Sequence, residues 1–291
     1  MYLRFPPFFS LAHRTAAIFL LFFFLCLFDS SPVFAGDSLI ERANALRRTY
    51  LDTMESVALT CEEEGLNEEA EKTRSYVLPK AVDRLFVPIL PLEVEPDKLP
   101  EDATRLQEQW HARCGEIRKG YAAKLYRLAQ EAAGEKRGTL AMHLALAALH
   151  ANPDHEKIRN LLGFEKYHQQ WRTRWEIDRL RRGYVDHPRF GWIPEVFVER
   201  YEEGRRYYKG EWISAEEEAE RRSEIRNGWK IESEHYSILT NHSIEEGVRL
   251  RRRLEELYRV WKRLFFQFIA SESQLTAMFH GRTASGNLPR H

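Results

Sequence analysis

Eleven histidines and a run of acidic pairs invite a search for metal or acid–base chemistry. The string nearest to a hydrolytic zinc motif is His155-Glu156-Lys157-Ile158-Arg159. That chemistry needs His-Glu-x-x-His on a helix, where two histidines one turn apart hold the metal and the glutamate activates water. Arg159 stands where the second ligand must be, so the string reads as a surface stretch of helix. His143 and His150 are two turns apart on one helix, too far for joint ligation from adjacent turns. Glu234, His235 and His242 are close in sequence, but strand alternation and a loop send their side chains in different directions. Arg179-Leu180-Arg181-Arg182 and Arg249–Arg253 are basic clusters beside aromatic residues. Arginine stacked on Trp or Tyr, worth ~0.5–2 kcal/mol, explains them without nucleic acid. Neither a Gly-rich phosphate loop nor a nucleophile elbow occurs. The residues predict no catalytic set, no metal and no cofactor.

The elements that would position such groups begin after an export signal. Arg4, His13 and Arg14 precede an apolar run, Thr15–Phe28, and Val33-Phe34-Ala35 ends the region with small residues at the cleavage positions. Cleavage between Ala35 and Gly36 leaves an exported chain, in the periplasm, cell envelope or medium. The alternative is an anchor through residues 15–28, although a helix of that length spans only about 21 Å of a ~30 Å hydrocarbon core. Residues 1–35 carry Arg4, Arg14 and Asp29, so the remainder holds 42 basic and 43 acidic residues. That balance provides no global field for nucleic acid or anionic lipid. Cys61 and Cys114 remain. In an exported chain they could pair, closing a loop worth roughly 4 kcal/mol, or stay as buried thiols; spacing alone leaves both open.

The fold class expected is mainly α. Apolar residues at helical spacing predict a helix over 38–63, ended by Gly65, and a shorter one over 67–76, together an N-terminal helical region of 36–78. Pro79, Pro88, Pro91, Pro96 and Pro100 make 79–100 a linker. Helices are predicted again over 102–133, 138–151 and 154–162. In this region, 101–163, the residues Ala122, Tyr126, Ala129, Ala145 and Ala148-Leu149-His150-Ala151-Asn152-Pro153-Asp154 resemble a tetratricopeptide-type helical pair. Protein or peptide binding through those hairpins is the partner expected.

Over 164–228, Trp171-x-Thr173-x-x-Glu176 recurs as Trp212-x-Ser214-x-x-Glu217, 41 residues on. Each is a capping box behind an aromatic anchor, predicting two small units. Gly191-Trp192 and Gly228-Trp229 form a second pair. A hairpin of Glu195–Tyr201 with Arg205–Ile213 is expected around Gly204. Residues 229–240 alternate like one strand, with Tyr236 and Ile238 on one face and Trp229, Ile231 and Leu239 on the other. Ser243 with Glu246 makes a third box, opening a long amphipathic helix to about Phe268 whose Arg249, Arg251, Arg252, Arg253, Glu255 and Glu256 mostly face water. Residues 271–291 read as a poorly ordered tail.

Tyr236-Ser-Ile238-Leu-Thr240-Asn241-His242-Ser243, then Leu254-Glu255-x-x-Tyr258-x-x-Trp261 and Phe265, resembles the opening strand and first helix of a gluzincin-like metallopeptidase domain found in large exported bacterial proteins. The resemblance covers roughly residues 110–270 and includes none of that family's catalytic residues. It implies that 229–270 opens a peptidase-like domain whose zinc-binding helix is lacking. The first expectation is therefore a non-catalytic, truncated relative, with an unfilled sheet edge at 229–240 and a last helix exposing part of its apolar stripe. The alternative is an exported helical-repeat interaction module with a groove among residues 102–163.

Overall fold

A computed structural model describes residues 38–77, residue 94 and residues 99–280. The signal region with its Ala35–Gly36 junction, most of the proline-rich linker and residues 281–291 lie outside the described residues. The chain divides into one unit ending at Asn44, which holds the first turns of helix Ser38–Glu63, and another starting at Ala45. The described part is mostly helical, with small antiparallel strand pairs and a long helix near its C-terminal end.

Helix α1 (Ser38–Glu63) stops at Gly65, whose φ of 78° favours glycine. Helix α2 is Asn67–Ser75, α3 is Arg105–Gly134, α4 is Gly138–Ala151 and α5 is Glu156–Leu161. The start of α3 is fixed by a reciprocal cap between Thr104 and Gln107. Tyr50, Met54, Val57, Cys61, Ala70, Trp110 and Cys114 form one core where α1, α2 and α3 meet. Cys61 and Cys114 are free thiols inside it. Burial raises the pKa of each, which suits an inert packing role more than a reactive one. Further along, α3 and α4 approach closely because Ala122, Ala129, Ala132, Ala133, Ala141, Ala145 and Ala148 are buried.

From Gly163 onward the chain changes architecture. Strands β1 (Phe164–Tyr167) and β2 (Gln170–Thr173) pair and lead into α6 (Arg174–Arg181). Strands β3 (Tyr184–His187) and β4 (Gly191–Pro194) lead, through a 3-10 turn, into α7 (Val198–Glu202). Strands β5 (Arg205–Tyr208) and β6 (Glu211–Ser214) lead into α8 (Ala215–Arg221). Strands β7 (Trp229–Glu232) and β8 (Ser237–Thr240) precede α9 (Ile244–Ile269), and α10 (Glu272–Phe279) follows. Each of these sheets has two strands, so each keeps open edges.

Four expectations need correction. Residues 195–202 are helical, and the third hairpin instead turns at Lys209-Gly210, where φ values of 48° and 99° suit a primed turn. Residues 229–240 are two strands reversing at 233–236, with Ser233 N donating to the Tyr236 carbonyl at 2.9 Å. Ile238 therefore pairs with Ile231 and joins Trp229 and Val248 in a core, while Leu239 is exposed. Residues 271–279 are not a loose tail: Ser271 and Gln274 cap α10, and Leu275 packs with Met142, Phe266 and Ala270. Arg251 and Glu255 do not face water, as shown below.

Candidate functional site

The hairpins and short helices between residues 163 and 222 are three copies of one ββα unit. Gly163, Gly183 and Gly204 open them at intervals of 20 and 21 residues, all at φ between 77° and 89°. Trp171, Trp192 and Trp212 occupy the equivalent place on the second strand of each. The 41-residue displacement is thus two steps. The middle copy escapes a search for capping boxes because Pro194 stands where Thr173 and Ser214 cap the others. The signal that finds it is the glycine and tryptophan spacing. It also shows that Gly191-Trp192 aligns with the other repeat tryptophans and not with Gly228-Trp229.

Thr173 and Glu176 make a complete box. Ser214 accepts from Glu217 N, but Glu217 sends its carboxylate to Arg221. Ser243 likewise accepts from Glu246 N, and Glu246 reaches Arg249 at 3.0 Å. Aromatic contacts join successive copies. Trp175 meets Trp192 edge-on at 5.5 Å. Phe197 of the second copy meets Tyr207 and Trp212 of the third at 4.9 Å each. Arg206 is 5% exposed and lies over Phe190 and Tyr201 at 4.6 and 5.2 Å. Its Nη1 donates to the Tyr201 and Arg205 carbonyls at 2.8 Å. Arg179 lies over Trp175 and Tyr184 and bonds Glu232 at 3.1 Å, so it is bound up in packing, while Arg181 and Arg182 are exposed.

The zinc-like string is only half a surface feature: Glu156 and Lys157 are exposed, but its second half is not. Ile158 and Arg159 are fully buried. Arg159 Nε donates to the Pro153 carbonyl at 2.8 Å, and its guanidinium lies over Phe164 and Trp171. Trp171 Nε1 in turn donates to Asp154 at 2.7 Å. The segment is the joint between α5 and the first repeat unit. His143 is edge-on to Phe266, His235 bonds Glu255 at 2.9 Å, and His242 lies beside Ser243. Among the described residues, no three His, Cys, Asp or Glu side chains converge as a metal would require.

Helix α9 locks onto the array from one side. Gly247 passes so close to Ile231 that an added Cβ would stand 2.2 Å from its Cδ1. Val248 packs under the fourth hairpin and faces Gly191 of the second unit. Arg251 is 4% exposed and donates from one nitrogen to both oxygens of Asp186 at 2.7 and 2.8 Å. Glu255 accepts from the backbone N and Nδ1 of His235. Burial opposes its charge, but the bonds from the His235 ring and Ser233 and from the His235 backbone outweigh it and bring its pKa down to about 2. At the other end Phe266 and Ala270 pack with Met142 of α4.

The opposite side of α9 is also apolar. Leu250, Leu257, Trp261, Phe265 and Phe268 are exposed, Leu257 by 61% and Phe268 by 75%. Tyr258, Trp261, Phe265 and Phe268 follow one another at ring separations of 5.9–6.2 Å. A shallow depression of about 280 Å³ sits near the start of this face, between Thr240, Gly247, Leu250 and Arg253. Scattered exposed apolar residues are ordinary, whereas here the exposed rings form one continuous stripe along a single helix. Among the described residues no helix is long and apolar enough to cross a membrane. No family model matches the chain, and no curated protein or solved structure matches it either.

Proposed function

We propose that this chain is an exported, non-catalytic scaffold that works by contact, with the outward face of α9 as its docking surface. The observation that carries the reading is the second apolar face of that helix: the first is consumed by the hairpins and α4, and the second has its own aromatic stripe. The resemblance to gluzincin-like proteins supports it, since residues 229–270 would be the opening hairpin and helix of such a domain without its zinc ligands. The open edges of β7 and β8 are where further strands of such a domain would add. The α3–α4 hairpin is then a tetratricopeptide-type pair serving as support.

The test has two arms. At sub-micromolar concentration the purified chain is expected to bind a hydrophobic dye whose signal drops at least severalfold in a Leu257→Glu, Phe268→Glu double variant of unchanged circular dichroism. An unchanged signal means the face is not accessible and removes the reading. Stoichiometric zinc together with casein hydrolysis would overturn the non-catalytic half.

A further inference from the structure

We infer that the outward face of α9 pairs with the same face of a second copy of this chain, as an antiparallel two-helix seam. The inference rests on the docking-surface reading above and names its partner. Leu250, Leu254, Leu257, Trp261, Leu264 and Phe268 follow one another in steps of 4, 3, 4, 3 and 4 residues. That alternation is the heptad seam of a coiled coil, in which side chains enter holes on a facing helix. Leu254 and Leu264 are half-buried and the other four are exposed. Val248 and Phe266 mark the side of the helix that points away from it, while the buried Gly247 and Arg251 lie along one border.

The seam is complementary to itself in one orientation. Laid antiparallel about residue 259, Leu250 faces Phe268, Leu254 faces Leu264 and Leu257 faces Trp261, each twice by symmetry. Every bulky aromatic then meets a leucine. A parallel pairing would set Trp261 on Trp261 and Phe268 on Phe268. The flanking positions oppose no like charges: antiparallel pairing sets Arg253 beside Gln267 and Val260 beside Val260 on one flank, and Tyr258 beside Tyr258 and Arg251, held by Asp186, beside Phe265 on the other. The two helix dipoles also oppose and cancel. A face that matches itself about a two-fold axis is what a closed isologous dimer requires. The five exposed apolar side chains offer roughly 500 Å² per copy, or about 1,000 Å² in the pair, the lower bound for a specific interface.

Sedimentation equilibrium of the purified chain is expected to give a dimer dissociating in the micromolar range. Leu257→Glu should weaken it by roughly 100-fold or more, because two carboxylates would enter the seam. Val260→Cys should cross-link two chains under mild oxidation and Leu264→Cys should not. Efficient cross-linking through Leu264→Cys instead would overturn the antiparallel arrangement. A dimer indifferent to Leu257→Glu would place the interface elsewhere and overturn the proposal. A chain that stays monomeric at several hundred micromolar overturns it too. In that case dye binding abolished by Leu257→Glu, Phe268→Glu leaves the docking surface standing with another occupant, such as a peptidase-domain segment, and absent dye binding removes both.

Discussion

Removing the Asp186 carboxylate should destabilise the fold far more than removing its partner. Arg251 lies under the second hairpin with 5% of its side chain exposed, whereas Asp186 retains 29%. Asp186→Ala leaves a guanidinium buried without its counter-charge, and its Nε already lacks a hydrogen-bond partner. Breaking a buried pair from one side costs about 3–5 kcal/mol; the partial access at Asp186 lets some water in and argues for about 3. Arg251→Met removes the buried charge instead, leaving an aspartate that reaches solvent, and should cost about 1 kcal/mol. The double variant should resemble Arg251→Met alone, giving a coupling of about 3 kcal/mol in the double-mutant cycle. For a chain of this size that is roughly 6–12 °C in Tm for Asp186→Ala. Urea denaturation followed by circular dichroism, on all four proteins at low protein concentration, measures it. Equal losses for the two single variants would refute the reasoning, since the asymmetry in burial is its whole basis.

The Glu255–His235 contact predicts an acid limb. Glu255 has a folded pKa held near 2, below its ordinary 4.5, so the stability it contributes is complete above about pH 4.5 and is lost as pH falls toward 2. After discounting for solvent screening the effect is about 2 kcal/mol, and Glu255→Gln should flatten that part of the stability–pH curve. An unchanged slope between pH 4.5 and 2 would refute it. Gly138 opens α4 where an added Cβ would stand 2.5 Å from the Glu272 carbonyl oxygen and 2.6 Å from Leu275 Cβ. Gly138→Ala should therefore cost about 2 kcal/mol despite the better helix propensity, and should raise amide exchange in α10 first. A stabilised variant would show that α10 is not seated against α4 as described.

The helices before residue 163 and the long α9 were legible in the sequence because their signals are local, whereas those at 195–202 and 272–279 were not. A 3.6-residue period, Gly65 and the box at Thr173 and Glu176 each act within a few residues, and the observed helix bounds follow them closely. Part of what escaped reading was local too, such as the Ser271–Gln274 box, and the rest depends on distant partners. The 229–240 segment alternates well enough for one strand, and only the tight 233–236 reversal, held by Ser233 to Tyr236, splits it. Arg251 and Glu255 look like solvent-facing charges until Asp186 and His235 arrive from elements 65 and 20 residues away. Arg159 looks like a failed ligand and is a core residue, because long cationic side chains bury their stems and stack when aromatic rings are brought to them. The exposed stripe on α9 was expected in outline. Its separation from the buried stripe appears only once the hairpins are known to occupy the other side.

Why the chain needs so long a helix after three short repeats follows from the size of the units. A two-stranded hairpin with one or two turns of helix cannot bury an apolar face by itself. Each copy therefore borrows from the next: Trp175 leans on Trp192, and Phe197 on Tyr207 and Trp212. A one-dimensional array of this kind must be closed by something with a different face. The fourth hairpin and α9 supply the closure, since Val248 and Arg251 reach the second unit while Phe266 and Ala270 reach α4. A helix that spans both neighbours has to be rigid along its length. That rigidity holds Leu250, Leu257, Trp261 and Phe268 in register on the far side, so a partner of the kind proposed would meet them already ordered and lose little side-chain freedom on binding.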